Sequence, residues 1–452
     1  MKKLILILFF SLALLSCQTS DKIENVVVIG GGLMGSSTAW ELSKYGQTVL
    51  LIEQQDSIYT FGSSFGEARI SRSLGPNQDI FSFLQQTSVS ETKNLIDFLN
   101  DGELEELHTM EDIYTTSPVT YIYSKSQLNE VEELLNGQTV KYEYASNSEE
   151  AKEKFGMKIS DSMMVIREFK QYSGTLNPKV LIEKLHKGIS KSGNRIGYNQ
   201  KVTSLNKEGG IYKIKITDTK TGTNKIVLSK KVVAAAGPYN GTLVKDIAPY
   251  FGSLISPKRL FLSFLKIDSD KYDMLTIDQK KKLKESYPVA YLNSEIFYSM
   301  IEEFDEKDGP LLKVGGHFLR TDIEDLDEVW SMNLTTQEIK WSKENTADYL
   351  VKLDLPIKFS DLEYVRGYSC VYSLTASEIP YVSHALKNET DIDSSFVLIG
   401  GMSGVGAKGS LAYGLVAADL ILGKRNDSFM YQKSKSALGT ERLIKDIQHI
   451  DN

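Results

Sequence analysis

The sequence predicts an α/β domain of the doubly wound kind interleaved with a second domain built on a large antiparallel sheet. Three observations predict it. A strand, glycine turn and helix begin at Val26, period-two strands occupy residues 261–317, and a second strand, glycine turn and small-residue helix return between Ser395 and Leu422. A chain of 452 residues is long enough for two large domains. The formal charge is −7; without Lys2 and Lys3 the 52 basic residues become 50 against 59 acidic ones, near −9. That balance excludes nucleic acid as a natural partner.

The first element is a leader. Met1, Lys2 and Lys3 precede an apolar stretch from Leu4 to Leu15, interrupted by Ser11 alone, then Ser16 and Cys17. A positive start and a short apolar core make a signal peptide, too short to span a bilayer. Leu14 to Cys17 resembles a bacterial lipobox, which implies that Cys17 is lipidated and that the chain is an exported lipoprotein, membrane-anchored and periplasmic or at the cell surface. An uncleaved or simply secreted leader is the alternative. Polar residues 18–22 read as a tether. Without a twin arginine, export threads an unfolded chain, so any cofactor is acquired afterwards. The second and last cysteine is Cys370. If Cys17 carries lipid, Cys370 has no disulfide partner and is either buried and inert or chemically employed.

Next come four β-prone residues, Val26 to Ile29, and then Gly30, Gly32 and Gly35 at the G-x-G-x-x-G positions. The first glycine permits the tight turn, the second lets a pyrophosphate approach the backbone, and the third lets the following helix pack on the sheet. Leu33 and Met34 open that helix, Ala39 and Leu42 share a face, and Gly46 ends it. The helix points its positive N-terminus at the phosphates. A second apolar strand ends in Glu53, placed to accept ribose hydroxyls. An acid there disfavours a 2′-phosphate, so FAD or NAD is preferred over NADP. The unit is therefore Rossmann-type.

Downstream, residues 91–151 mix helical periodicity (Asn94, Leu95, Phe98, Leu99) with a strand from Pro118 to Tyr123. Asn177 starts a helix that reaches His186. A strand from Lys201 to Leu205 and a hairpin around residues 217–223 follow, and Lys231 to Gly237 is another buried strand ending in glycine. Period-two strands run at 261–265, 289–292, 296–300 and 311–315, a helix lies near 337–353, and the chain then returns to Ser395 to Gly401 and a helix at 409–422. The two domains therefore interleave.

Three motifs carry chemistry: Gly62 to Arg72 (GSSFGEARISR), Cys370 to Tyr372 (CVY) and Gly400 to Lys408 (GGMSGVGAK). Together and in this order they resemble the monomeric sarcosine oxidase family of FAD-dependent amine oxidases, D-amino-acid-oxidase-like flavoproteins that include N-methyltryptophan, pipecolate and fructosyl-amino-acid oxidases. The resemblance covers nearly the whole mature chain. It implies a Rossmann-type FAD-binding domain and a substrate domain on a large antiparallel sheet, with FAD attached through the sulfur of Cys370. The alternative for Cys370 is a small buried hydrophobe. The resemblance further implies that Arg72 and Lys408 clamp a substrate carboxylate, a planar fork and a point charge that on bare sequence are surface residues. Lys313 corresponds to a lysine beside the flavin that assists oxygen reduction by stabilising developing negative charge; otherwise it is a snorkelling edge lysine. His317 and Tyr372 match residues near the substrate, or are packed core. Arg69 matches an arginine flanking the flavin, and the turn through Gly401, Gly404 and Gly406 would favour negative charge on it. Ser63, Ser64, Val202 and Gly237 complete the expected cofactor contacts.

The expected reaction is oxidation of an N-substituted amino acid to an imine that hydrolyses, with dioxygen leaving as hydrogen peroxide. A monomer is expected, and no metal. Phe65 stands where sarcosine oxidases commonly carry histidine, and Ala407 where an aromatic is usual; both changes alter the expected pocket wall. The alternatives are an amine dehydrogenase passing electrons to a carrier, and a non-catalytic lipoprotein with a flavoprotein fold. The expected organisation is a signal peptide at 1–16, a tether at 17–22, the FAD domain at 23–110, 166–250 and 366–430, the substrate domain at 111–165 and 251–365, and a tail at 431–452.

Overall fold

Val26, Val27, Val28 and Ile29 are buried on both faces, as central parallel strands are. The computed structural model describes residues 18–74, 78–103, 107–136, 140–387, 391–424 and 426–450. Val26 to Ile29 close the strand Gln18–Ile29, which lies between Asn224–Ala234 and Val49–Ile52, parallel to both. Arg195–Gly197 extends this sheet parallel to Val49–Ile52. On the other side Ile392–Gly400 pairs parallel with the end of Asn224–Ala234. The antiparallel strands Ile211–Asp218 and Gln200–Glu208 complete that edge. Helices Leu33–Lys44, Gln78–Asn100, Pro178–Lys191 and Ser410–Leu422 cover one face through a core that includes Trp40, Leu95, Leu185 and Val416.

The second sheet has the order Thr321–Asp322, Ser256–Ile267, Gly309–Gly316, Phe297–Asp305, Val289–Leu292, Val119–Ser124, Met163–Glu168, Tyr142–Ala145. Its pairs are antiparallel except Val289–Leu292 with Val119–Ser124, which run parallel. The long strand Leu362–Leu374 adds to Ser256–Ile267. Helix Thr336–Lys352 packs on this sheet through Trp341, Ala347 and Leu350.

Four boundaries differ from the sequence expectation. Residues 166–168 and 366–374 belong to the second sheet, because their backbones pair with Val119–Ser124 and Ser256–Ile267. The polar segment expected as a tether is strand from Gln18 onward, with Gln18 opposite Lys225. Residues expected as a tail form helices Phe429–Leu438 and Thr440–Ile450, with Tyr431, Leu438 and Leu443 buried. Residues 1–17, and Cys17 with them, lie outside the described residues. No described helix is long and apolar enough to cross a membrane.

Candidate active site

The glycine turn is built by contact. A Cβ on Gly35 would lie 1.8 Å from the Gly30 carbonyl oxygen, and one on Gly30, whose φ is +99°, would lie 2.5 Å from that of Ala235. Strand, helix and neighbouring strand meet there with no room for a side chain. Glu53 does not hold its carboxylate free. Oε2 accepts from the Gly31 amide at 2.6 Å and Oε1 from the Gln55 amide at 2.8 Å. Burial raises its pKa against those amides. Ser64 Oγ accepts from the Leu33 amide at 3.2 Å, and Ser63 donates to the Val371 carbonyl at 2.8 Å, tying the loop after the second strand to both domains.

From this turn a cleft of about 510 Å³ runs between the two sheets. Gly30, Gly32, Leu33, Met34, Glu53, Val202 and Gly237 line its first-sheet end. Arg69, Arg72, Lys313, His317, Cys370, Tyr372, Gly404, Gly406 and Lys408 line the remainder. Ser63 and Ser64 also face it. Gly35 sits behind the turn and Gly401, with φ +70°, beneath the second one, where a Cβ would meet Thr375 at 2.2 Å. These residues fit FAD: a side-chain-free cradle with helix amides at one end, and a thiol at the other.

Lys313 is fully buried on a strand whose eight residues are all buried, so it is not an edge residue. Nζ donates to Glu302 Oε2 at 2.9 Å and to the Ala68 carbonyl at 3.1 Å. Burial, then the charge of Arg69, brings the amine down to about 7 against the opposing pull of Glu302. Arg69 itself donates to the carbonyls of Ala68, Ser63 and Phe65 and so braces the loop that carries them. Cys370 faces the cleft beside Leu262, Phe264 and Leu311. Burial pushes its thiol up, opposed by the charges of Arg69 and Lys313.

Arg72 and Lys408 form the second electrostatic feature. Arg72 lies 5.6 Å from the centroid of the Tyr121 ring and donates to the Leu74 carbonyl at 3.1 Å. Lys408 is buried, 5.1 Å from the Phe81 ring centroid, and its pKa is driven well down by burial and then by the charge of Arg72. Among the described residues, neither makes a salt bridge. Tyr372 shares a 3.2 Å hydroxyl contact with Tyr298 and stands edge-on to the His317 ring. Burial and then Arg320 lower His317 to about 4, so it is neutral near pH 7.

Of the two expected wall changes, Ala407 lines the cleft, whereas Phe65 lines a separate cavity and packs on Tyr368 at 5.2 Å. The sequence reading missed Glu302, Tyr298 and Glu168. Glu302 lies two residues beyond the strand read at 296–300, whereas the strand runs on to Asp305, and its partner depended on pairing. Glu168 is fully buried and accepts from the Ser73 and Leu74 amides at 2.8 and 3.1 Å and from the Tyr121 hydroxyl at 2.9 Å, and also from Ser173.

Known proteins are similar to this chain in sequence and, among solved structures, in fold. The chain is 26% identical over 404 residues to a probable sarcosine oxidase of Arabidopsis thaliana, covering 88% of each chain. It is 23% identical over 427 residues to the monomeric sarcosine oxidase of Bacillus sp. (strain NS-129), covering 93% of this chain and 98% of that one. Among solved structures, NikD, an unusual amino acid oxidase essential for nikkomycin biosynthesis, superposes with a TM-score of 0.67 at 16% identity, covering 92% of this chain and 96% of its own. L-proline dehydrogenase from P. horikoshii gives 0.65 at 18% identity, over 92% and 99%. The profile of the FAD dependent oxidoreductase family, DAO, matches residues 25–420, and the chain belongs to that family.

Proposed function

We propose that this chain is an oxidase of N-substituted amino acids. One observation carries the reading: Arg72 and Lys408 bring a guanidinium and a buried amine into the cleft without a salt-bridge partner among the described residues, and Glu168, the buried carboxylate whose charge reaches both, already accepts from two amides and two hydroxyls, so a ligand anion still has both groups to meet. A substrate carboxylate satisfies both, with the guanidinium as fork and the ammonium as point charge. The same cleft carries Tyr298, Tyr372 and the neutral His317, groups able to orient an uncharged amine. Bound FAD supplies the acceptor for the hydride equivalent and a route for the electrons to dioxygen. Lys313 sets a cation where negative charge develops on oxygen.

The same reading holds FAD covalently through Cys370, which predicts colour that survives acid precipitation and is lost in Cys370→Ser. Independently, the leader and the lipobox-like Leu14 to Cys17 support an exported protein held on a lipid at Cys17. Cys17→Ala should then abolish lipid labelling.

The deciding experiment is anaerobic bleaching of the flavin spectrum by sarcosine, dimethylglycine, pipecolate, N-methyl aromatic and fructosyl amino acids, each beside its amide. Free acids should bleach and amides should react poorly. Arg72→Ala should lose about tenfold to a hundredfold in reduction efficiency, the worth of a charge-assisted hydrogen bond of about 1.5–3 kcal/mol. Amides reacting as fast as acids would remove the clamp. Reduced enzyme that stays bleached in air would make the protein a dehydrogenase.

A further inference from the structure

Lys313 lines the cleft, but the carboxylate it touches lines an adjoining cavity, with which the cleft shares the walls of Tyr59 and Ser64. Glu302, with Phe65, Gly66, Glu67, Arg366 and Tyr368, faces a second cavity of about 280 Å³. Its side chain is 2% exposed and Lys313's is 1%, so the 2.9 Å pair between them is a buried junction from one space to the other. Two features hold Glu302 there. Its strand shifts register between Ile301 and Glu303 against Gly309–Gly316, so Glu302 is the extra residue of a β-bulge, a device that re-aims a side chain. Its Oε1 also accepts from the Glu67 amide at 2.9 Å. Gly66 leaves the junction open. A Cβ there would lie 2.8 Å from both Lys313 Nζ and the Tyr368 hydroxyl.

We propose that Glu302 is the proton relay of Lys313, carrying protons from the outer cavity to Nζ so that the amine is recharged from behind while the cleft is filled. This rests on the oxidase reading above. Dioxygen leaving as hydrogen peroxide takes two electrons and one proton from the reduced cofactor and its second proton from the Lys313 ammonium. The Glu302 carboxylate takes a proton from hydronium in the outer cavity, releasing water, and passes it to the neutral amine, which restores the ammonium–carboxylate pair. An amine whose protonated and neutral forms are balanced near pH 7 suits such a shuttle. The groups facing it are Glu302 on Phe297–Asp305, Arg69 on Arg69–Ser71, Cys370 and Tyr368 on Leu362–Leu374, and the Phe264 ring of Ser256–Ile267, whose centroid lies 3.9 Å from the Arg366 guanidinium carbon.

The test uses flavin-loaded enzyme with 13Cε-labelled lysine, in which the Lys313 signal is identified by its loss in Lys313→Met. In Glu302→Gln, which keeps the shape, the Lys313 titration midpoint should fall by about 1–3 pH units, the effect of removing an adjacent opposite charge. In stopped flow, Glu302→Ala should slow reoxidation about a hundredfold, within the usual range for a positioned proton donor. Formate or acetate, entering the enlarged outer cavity, should restore it in proportion to concentration. A midpoint that does not move, or reoxidation that neither acid restores, overturns the relay. Reduced wild-type enzyme that ignores dioxygen overturns the oxidase reading and the peroxide step with it. An unmoved midpoint in enzyme that does react with dioxygen overturns the relay alone.

Discussion

Lys408 and Arg72 confront each other inside the protein, and the cost falls on the lysine, whose pKa burial and the arginine drive well down. A carboxylate arriving between them reverses that shift, because an opposite charge favours the protonated amine. Binding a simple carboxylate such as isobutyrate should therefore take up protons, and affinity should weaken as pH rises through the range where free Lys408 is neutral but bound Lys408 is charged. Calorimetry in two buffers of different ionisation enthalpy measures the uptake; pH-independent affinity with no proton transfer would show that Lys408 does not meet the anion. Lys313 differs, being buried with a counter-ion already in place. Its positive charge is present below about 7 and lost above. Reoxidation should accordingly slow as pH rises through that value. Lys313→Met should cost about 10²–10³ in reoxidation and far less in reduction, with stopped-flow traces separating the two.

At the scale of elements, the segment that delivers Arg72 is held by Glu168. Its carboxylate, on the second sheet, accepts the amides of Ser73 and Leu74 and the hydroxyls of Tyr121 and Ser173, all in a buried setting. Glu168→Ala leaves two amides and two hydroxyls without that acceptor, and breaking a buried charged network of this kind costs about 3–5 kcal/mol. Denaturant melts should show that loss. A melt within error of wild type would mean that the segment holds itself. This network also marks the limit of what the sequence discloses. The turn at Gly30 to Gly35 was legible because strand, glycines, helix and acid follow one another locally. So were the motif glycines, Cys370 and the cations, which lie in short runs. Glu302 and Glu168 were not, because a carboxylate on a strand acquires its role from which strand pairs beside it and where a bulge falls, and both are long-range facts.

At the scale of the whole molecule, the C-terminal residues show the same limit. Residues 431–452 read as a tail, yet Leu443 is fully buried and Arg442 donates to the carbonyls of Pro380 and Ile379 at 2.9 and 2.6 Å. Leu443→Ala should cost about 2–5 kcal/mol, as buried leucines do, whereas a loose tail would show no change in the denaturation midpoint. The helices close the first sheet against Tyr381, whose hydroxyl donates to Asp446. The other side of the molecule is closed differently. The cleft has one wall from each sheet: the glycine cradle belongs to the first, and Cys370 to a strand of the second. Anything that fills it mortars the two walls together, and a ligand that binds only the folded form adds its binding energy to the fold. The loaded protein should melt as one body. Stripped of its filling it becomes two masonry leaves with a void between them, and a bond to Cys370 would turn the mortar into a tie that dilution cannot dissolve.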